Sequence, residues 1–317
     1  MPHVVRLLLL ISLTVAGLAS GLVVGAEGEP APPEVNAGKF VILSDFNEVL
    51  YGRGAHERIA PASLTKMMSA IVAVRYVSLD TVVTIQEDDL VGEATMGLVA
   101  GDQLTIGDLM YGMFLPSAND AAMAVARGVG LALGATDGDS AREEFVRLMN
   151  LTARQFQLRD THFMNPHGLD QKGHYSSAYD IAVILRAALN YPQITERMQT
   201  VSIRIGEQYD LYNGNHLLTD RTDYIGGKTG LTDNCGFCLA GAARDDDGRM
   251  VIAVAMDDDW SWFWDVNLLL DYGFELEQFR GIPAWADPTL LGSQLTQAPD
   301  SSSPTMSAGT TNKQGGP

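Results

Sequence analysis

Residues 61–66 read Pro61-Ala62-Ser63-Leu64-Thr65-Lys66, and after them Met67, Met68, Ile71, Val72 and Val74 recur at helical spacing. The pattern predicts a buried helix that begins at or beside Ser63. Positions three apart on a helix share a face, so the Lys66 amine comes within reach of the Ser63 hydroxyl. A serine is a weak nucleophile at neutral pH and needs a base. Lysine serves as one only where burial and a neighbouring cation hold it partly neutral. The positive end of the helix also favours anionic charge developing at Ser63. Alone, this pattern is a weak signal, because a helix with an exposed lysine reads the same way.

Two further short motifs follow. Ser117-Ala118-Asn119 comes after an apolar helical stretch ending in Pro116, and offers a hydroxyl and an amide from one tight turn. Its plainer reading is a capping turn for a helix from Asp120 to Val129. Lys228-Thr229-Gly230 follows Gly226-Gly227 and precedes strand-like residues, so a cation and a hydroxyl would project at a sheet edge, with Gly230 leaving room for a ligand. Its plainer reading is a Gly-rich turn with a solvated lysine. Each motif is unremarkable singly. In this order and at these intervals they are the set found in class A β-lactamases and penicillin-binding proteins.

The chain resembles the serine-type D-alanyl-D-alanine carboxypeptidases, the low-molecular-mass penicillin-binding proteins, from about Ala37 to Phe279. The likeness extends past the three motifs to Phe163-Met164-Asn165-Pro166-His167-Gly168-Leu169 and to His174-Tyr175-Ser176-Ser177-Ala178-Tyr179-Asp180. It implies an α+β fold of the DD-peptidase and β-lactamase type: an antiparallel sheet flanked by helices, with a helical subdomain carrying Ser117 and Asn119 across a cleft from Lys228. It also implies Ser63 as acyl-enzyme nucleophile, Lys66 as its base, and Ser117 and Asn119 as proton relay and substrate-backbone contacts. Lys228 and Thr229 would bind the terminal carboxylate beside Gly230, and the backbone N–H groups of Ser63 and Leu231 would form the oxyanion hole. The substrates implied are peptidoglycan stem peptides ending in D-Ala-D-Ala, with β-lactams as covalent inhibitors. No metal or organic cofactor is implied.

Three other readings compete. A β-lactamase would add a Glu in an E-x-x-x-N arrangement, and Glu143 and Glu144 are not followed by Asn at that spacing. A D,D-endopeptidase shares every motif. A non-catalytic cell-wall or β-lactam sensor would not need a nucleophile paired with a base. His167 and Asp170 invite a Ser-His-Asp triad, but Asn165-Pro166-His167-Gly168 reads as a turn and the family base is lysine. The chain departs from the family at Ala118, where Gly is frequent, and at Cys235, where a small residue is usual.

Outward from the motifs, Lys39 to Leu43 and Glu48 to Tyr51 predict a hairpin. The middle, Ile106 to Leu189, predicts helices at Ala121 to Val129, Glu143 to Phe156 and Ala178 to Leu189. Strands are predicted at Gln199 to Ile205, Gly236 to Ala243 and Met250 to Met256, then a closing helix from Trp260 to Phe274. Cys235 and Cys238 form a C-x-x-C in an apolar run; without a second pair or a helix start, they read as two buried thiols.

At the ends, residues 1–26 combine Arg6 with an apolar run closing in Val24-Gly25-Ala26, which reads as a cleaved signal peptide or an N-terminal membrane anchor. Residues 27–37 read as a linker, 38–280 as a single catalytic domain without a second β-rich domain, and 281–317 as a disordered polar tail. The expected location is therefore extracytoplasmic, and the expected state a monomer. A formal charge of -18 argues against a nucleic-acid partner, which needs clustered Lys and Arg.

Overall fold

The computed structural model describes residues 28–281. The segments read as export signal and polar tail lie outside the described residues.

Strands β1 (Lys39–Ser44) and β2 (Val49–Arg53) form the expected hairpin, and the chain then crosses to a one-turn 3-10 helix, Ala62–Leu64, which runs into α1 (Thr65–Tyr76). The sheet is completed late in the chain by β7 (Tyr224–Thr232), β8 (Gly236–Arg244) and β9 (Met250–Asp258). All five strands pair antiparallel in the order β2-β1-β9-β8-β7, so β7 is an edge.

Strand β9 is apolar at consecutive positions because both faces of the sheet are covered. Val251, Ala253 and Ala255 pack toward the closing helix α8 (Trp262–Arg280), while Ile252, Val254 and Met256 join the larger core that contains α1. Residues Thr65 to Ala73 of α1 are all buried, which explains a sequence apolar on nearly every side. The helix that bears Lys66 thus runs through the middle of the molecule.

Between the sheet halves lies the helical insertion. It contains the short hairpin β3 (Val82–Thr84) with β4 (Gln103–Thr105), and helices α2 (Ile106–Phe114), α3 (Asn119–Ala132), α4 (Gly138–Gln155), α5 (Ala178–Leu189) and α6 (Pro192–Gln199). Caps mark the starts: Thr105 with Asp108 boxes α2, Asp137 accepts from the Ser140 N–H at α4, and Ser177 from the Asp180 N–H at α5. Buried Asp89 is held by Arg127 at 2.5 Å and Arg142 at 3.0 Å, which fastens the loop after β3 to α3 and α4. Strands β5 (Ser202–Ile205) and β6 (Tyr209–Tyr212) form a second small hairpin, and a single turn, α7 (Leu217–Asp220), leads into β7.

Three expectations shift. The stretch expected as strand from Gln199 is divided, because Pro192 starts α6 and that helix ends at Gln199. The closing helix begins at Trp262 and not Trp260, since Asp258 accepts from the Asp259 N–H and the Ser261 hydroxyl in a turn; it continues past Phe274 to Arg280. Residues 28–37 contain no helix or strand, yet they are strapped to α8. Tyr272 donates to the Pro30 carbonyl at 3.0 Å, Arg280 pairs with Glu29 at 2.6 Å, and the Asp265 carboxylate accepts from the Asn36 and Ala37 N–H groups. Among the described residues no helix is long and apolar enough to cross a membrane.

Candidate active site

A cleft of about 300 Å³ opens between the helical insertion and the β7 edge. Ser63, Ser117, Asn119, Thr229, Gly230 and Leu231 all line it, so three segments remote in sequence converge there.

Ser63 sits in the 3-10 turn ahead of α1, and Lys66 lies one turn on, fully buried. The Lys66 amine donates to Ser63 Oγ, to Asn119 Oδ1 and to the His167 carbonyl, each at 2.8 Å. Burial, and then the Lys228 charge, push the Lys66 amine well below its ordinary pKa; Asp120 and Glu93 pull weakly the other way. A neutral amine so placed can take the proton of the Ser63 hydroxyl.

Ser117 and Asn119 stand at the start of α3. The N-cap residue is Ala118, with no side-chain cap, so neither neighbour is spent on capping. Ser117 is held in the left-handed region at φ 63°, as is Ala62 beside Ser63 at φ 46°. Such conformations cost side-chain-bearing residues on the order of 1–3 kcal/mol each and persist where the surroundings impose them. Asn119 Nδ2 donates to the Gly92 carbonyl at 3.0 Å, which fixes the amide so that its oxygen meets Lys66.

On the opposite wall Lys228 is buried on β7 and donates to Ser117 Oγ at 2.7 Å and to the Thr229 carbonyl at 2.8 Å. Burial lowers its pKa to about 7. Gly230 brings the strand against the Ser63 turn: a Cβ there would stand 2.7 Å from Cys238 Sγ and 3.0 Å from the Ser63 nitrogen. Leu231, beside it, is exposed at the cleft.

The Phe163–Leu169 segment wraps the back of the nucleophile turn. Ser69 Oγ donates to the Pro166 carbonyl at 2.6 Å, adjacent to the His167 carbonyl that receives Lys66. His174 pins the segment: its Nδ1 accepts from the Met164 N–H, leaving Nε2–H to donate to Thr65 Oγ1 at 2.9 Å. Gly168, at φ 100°, lies so close that a Cβ would fall 1.8 Å from the Ala62 carbonyl oxygen.

The Ser-His-Asp alternative does not assemble. His167 Nδ1 accepts from the Leu169 N–H, burial lowers the ring to a pKa of about 3, and the Asp170 carboxylate serves Thr232 Oγ1 and the Asn234 N–H. Cys235 and Cys238 are free, buried thiols, and burial raises the Cys238 thiol well above its usual range.

Sequence reasoning missed four participants. The His167 carbonyl is a backbone atom with no side-chain signature. Gly168 enters the sequence pattern only within the Phe163–Leu169 likeness and its turn, with no role at the site. Glu93 belongs to no motif, and Trp262 was read only as part of a helix, although both line the cleft. The dense aromatic run Trp260-Ser261-Trp262-Phe263-Trp264 was the available signal for the last. Among the described residues no group of three or more His, Cys, Asp or Glu could hold a metal ion.

A buried lysine beside a helix-borne serine, faced across a cleft by a second buried lysine on a sheet edge, defines the serine DD-peptidase class of fold. Solved structures agree. A Streptomyces DD-transpeptidase superposes with a TM-score of 0.72 at 26% identity, covering 77% of this chain and 99% of that one. A penicillin-binding protein homolog of Mycobacterium tuberculosis gives 0.71 at 27% identity, covering 79% and 96%.

The family described as D-alanyl-D-alanine carboxypeptidase matches residues 26–260, and the chain belongs to that family. The D-alanyl-D-alanine carboxypeptidase DacD of Escherichia coli is 35% identical over 271 residues, 80% of this chain and 67% of that protein. DacF of Bacillus subtilis is 32% identical over 224 residues, 68% of this chain but 55% of that protein.

Proposed function

We propose that this chain is a serine D-Ala-D-Ala carboxypeptidase that acts on peptidoglycan stem peptides outside the cytoplasmic membrane and is acylated by β-lactams. The observation that carries the reading is the buried Lys66 amine, 2.8 Å from Ser63 Oγ and pushed toward its neutral form.

In this reading Lys66 takes the Ser63 proton as the oxygen attacks the carbonyl of the penultimate D-Ala. The tetrahedral oxyanion is received by the backbone N–H groups of Ser63 and Leu231, as family membership implies. Ser117, bonded to Lys228, passes its proton to the leaving amine of the terminal D-Ala and takes in return the proton that Lys66 received from Ser63, which leaves Lys66 neutral again. Lys228 and Thr229 hold the free carboxylate of that residue, and Asn119 holds the substrate backbone while orienting Lys66. Water then cleaves the ester, with Lys66 again the base.

A second reading, transfer of the acyl group to an amine, rests on the likeness to a DD-transpeptidase. It shares the acylation half and differs only in the acceptor. The experiment for both is labelling with a fluorescent penicillin, followed by mass spectrometry of D-Ala-D-Ala peptides and cross-linked muropeptides. Labelling of wild type but not Ser63→Ala, with release of one D-Ala, supports the carboxypeptidase. Labelling without any peptide turnover overturns it in favour of a sensor, and cleavage of cross-links alone overturns it in favour of an endopeptidase.

A further inference from the structure

Residues 257–264 read Asp257-Asp258-Asp259-Trp260-Ser261-Trp262-Phe263-Trp264, a run that the chemistry of the cleft does not use. Trp260 is 85% exposed, more than any other large apolar side chain among the described residues. One such side chain alone would be ordinary, but this one belongs to a patch. Its ring centroid lies 4.5 Å from that of Phe237; Phe237 lies 5.2 Å from Trp262, and Trp262 lies 4.3 Å from Phe263. Phe237 pairs across the sheet with Leu231, which is also exposed.

The backbone beneath the patch is fixed. The Asp258 carboxylate accepts from the Asp259 N–H and the Ser261 hydroxyl, the Asp259 carboxylate accepts from the Ser261 N–H at 2.9 Å, and Asn36 Nδ2 donates to Ser261 Oγ at 3.0 Å. Trp260 therefore stands on a braced turn, and presenting its ring to a ligand costs little further ordering.

Charge narrows the choice of ligand. Between Arg249 and Arg280 the sequence has no Lys or Arg, and Lys39 is spent on Asp257 at 3.0 Å. Asp233 and Asn234, in the turn after β7, and Asp259, beside Trp260, are exposed. A phosphate, a nucleic acid or an anionic lipid surface would need cations here. A wholly apolar partner would strip water from the carboxylates without replacing their hydrogen bonds. A neutral pyranose ring satisfies both kinds of group: its C–H face packs on the electron-rich face of an indole, while its hydroxyls donate to carboxylate and amide oxygens.

We infer that Trp260, Phe237 and Trp262 form a sugar-binding platform on the outer surface beside the cleft, for a β-linked polymer of N-acetylated pyranose rings. The choice of that polymer, the glycan of peptidoglycan, rests on the peptidase reading. The platform takes no part in acylation. It holds the enzyme on the strand, and because Trp262 both packs on Phe237 and lines the cleft, a strand held there lies next to the catalytic mouth.

The test titrates the purified chain with the tetramer of β-linked N-acetylglucosamine, followed by tryptophan fluorescence, and measures co-sedimentation with peptidoglycan sacculi. Both are repeated after acylation by penicillin. Binding should saturate and survive acylation. Trp260→Ala should weaken it about tenfold, and Trp260→Phe, which keeps a ring, should weaken it less. Release of D-Ala from soluble peptides should be the same in both variants as in wild type. Absence of a saturable signal, or equal affinity in Trp260→Ala, overturns the platform, and loss of sugar binding on acylation overturns it by moving the sugar into the cleft. Adsorption to phosphatidylglycerol vesicles that depends on Trp260, in place of sugar binding, overturns it in favour of a lipid surface. Sugar binding by a protein that releases no D-Ala keeps the platform and overturns the peptidase reading instead; release of D-Ala without sugar binding does the reverse.

Discussion

Lys228 donates to Ser117 Oγ at 2.7 Å, and with that contact the edge of the sheet touches the turn between α2 and α3 of the helical insertion, 111 positions earlier in the chain. The bond joins the two walls of the cleft and sets a second cation close enough to depress the Lys66 amine. The charge of Lys228 thus biases the protonation of Lys66.

A pH dependence follows from that coupling. Lys66 must be neutral to act as base, so activity falls on the acid side as it gains a proton. Lys228 must be charged to hold a carboxylate, and its pKa of about 7 in the free protein brings a fall on the alkaline side. The kcat/KM profile should be bell-shaped, and Lys228→Arg, which stays charged, should lose the alkaline limb. An unchanged alkaline limb in that variant removes Lys228 as its source.

Removing the base should be severe. Lys66→Ala is expected to slow penicillin acylation about 10²- to 10⁴-fold, the usual contribution of a positioned proton acceptor. Stopped-flow labelling across the neutral range measures it, and a loss under tenfold would take the role from Lys66.

Thr229→Val keeps the shape of the side chain and deletes its hydroxyl. Peptides with a free terminal carboxylate should slow about tenfold or more, the worth of a hydrogen bond to a charged group, while amidated peptides slow less. Equal losses on the two would refute carboxylate recognition by this residue.

Gly168 tests the packing behind the nucleophile. A methyl group there would collide with the Ala62 carbonyl at 1.8 Å, and the backbone is left-handed, so Gly168→Ala must displace the Ser63 turn. The variant should unfold at lower temperature and acylate more slowly than its residual folded fraction explains. Calorimetry paired with titration of penicillin-reactive protein separates the two effects.

Glu277 offers a prediction away from the site. Its carboxyl is buried on α8, with Oε2 unpartnered, and burial raises its pKa to about 7, with Asp245, Asp45 and Glu48 adding to the rise. Between the ordinary carboxylate range and pH 7 the folded state holds the extra proton, so this group subtracts stability as pH rises through that window. Glu277→Gln should raise the melting temperature at pH 8 and leave it nearly unchanged at pH 4. A gain of the same size at both values would assign the effect to packing.

The contact between Ser63 and Lys66 was legible because residues three apart share one helical face, a local rule that needs no tertiary knowledge. Helices α3, α4 and α5 were legible from their apolar spacing for the same reason. Strand β7 was not, since Gly226, Gly227 and Gly230 depress strand propensity where close packing demands them: Gly226 against Leu189 and Met198, Gly227 against Ala240, and Gly230 against Cys238 and Ser63. The oxygen that orients Lys66 from His167 belongs to the main chain, and no residue choice advertises it. Glu93 enters the cleft only through a loop folded by contacts with Asn119 and Asp120, so its place depends on the tertiary structure.

Helix α8 begins with Trp262 at the cleft and ends at Arg280, where Glu29 meets it. At 1.5 Å per residue its 19 residues measure about 28 Å. Residues 28 and 29 therefore lie beside Phe279 and Arg280, at the far end of the helix from the catalytic mouth. The cleft and the paired ends of the described fold thus occupy opposite ends of α8, about one helix length apart.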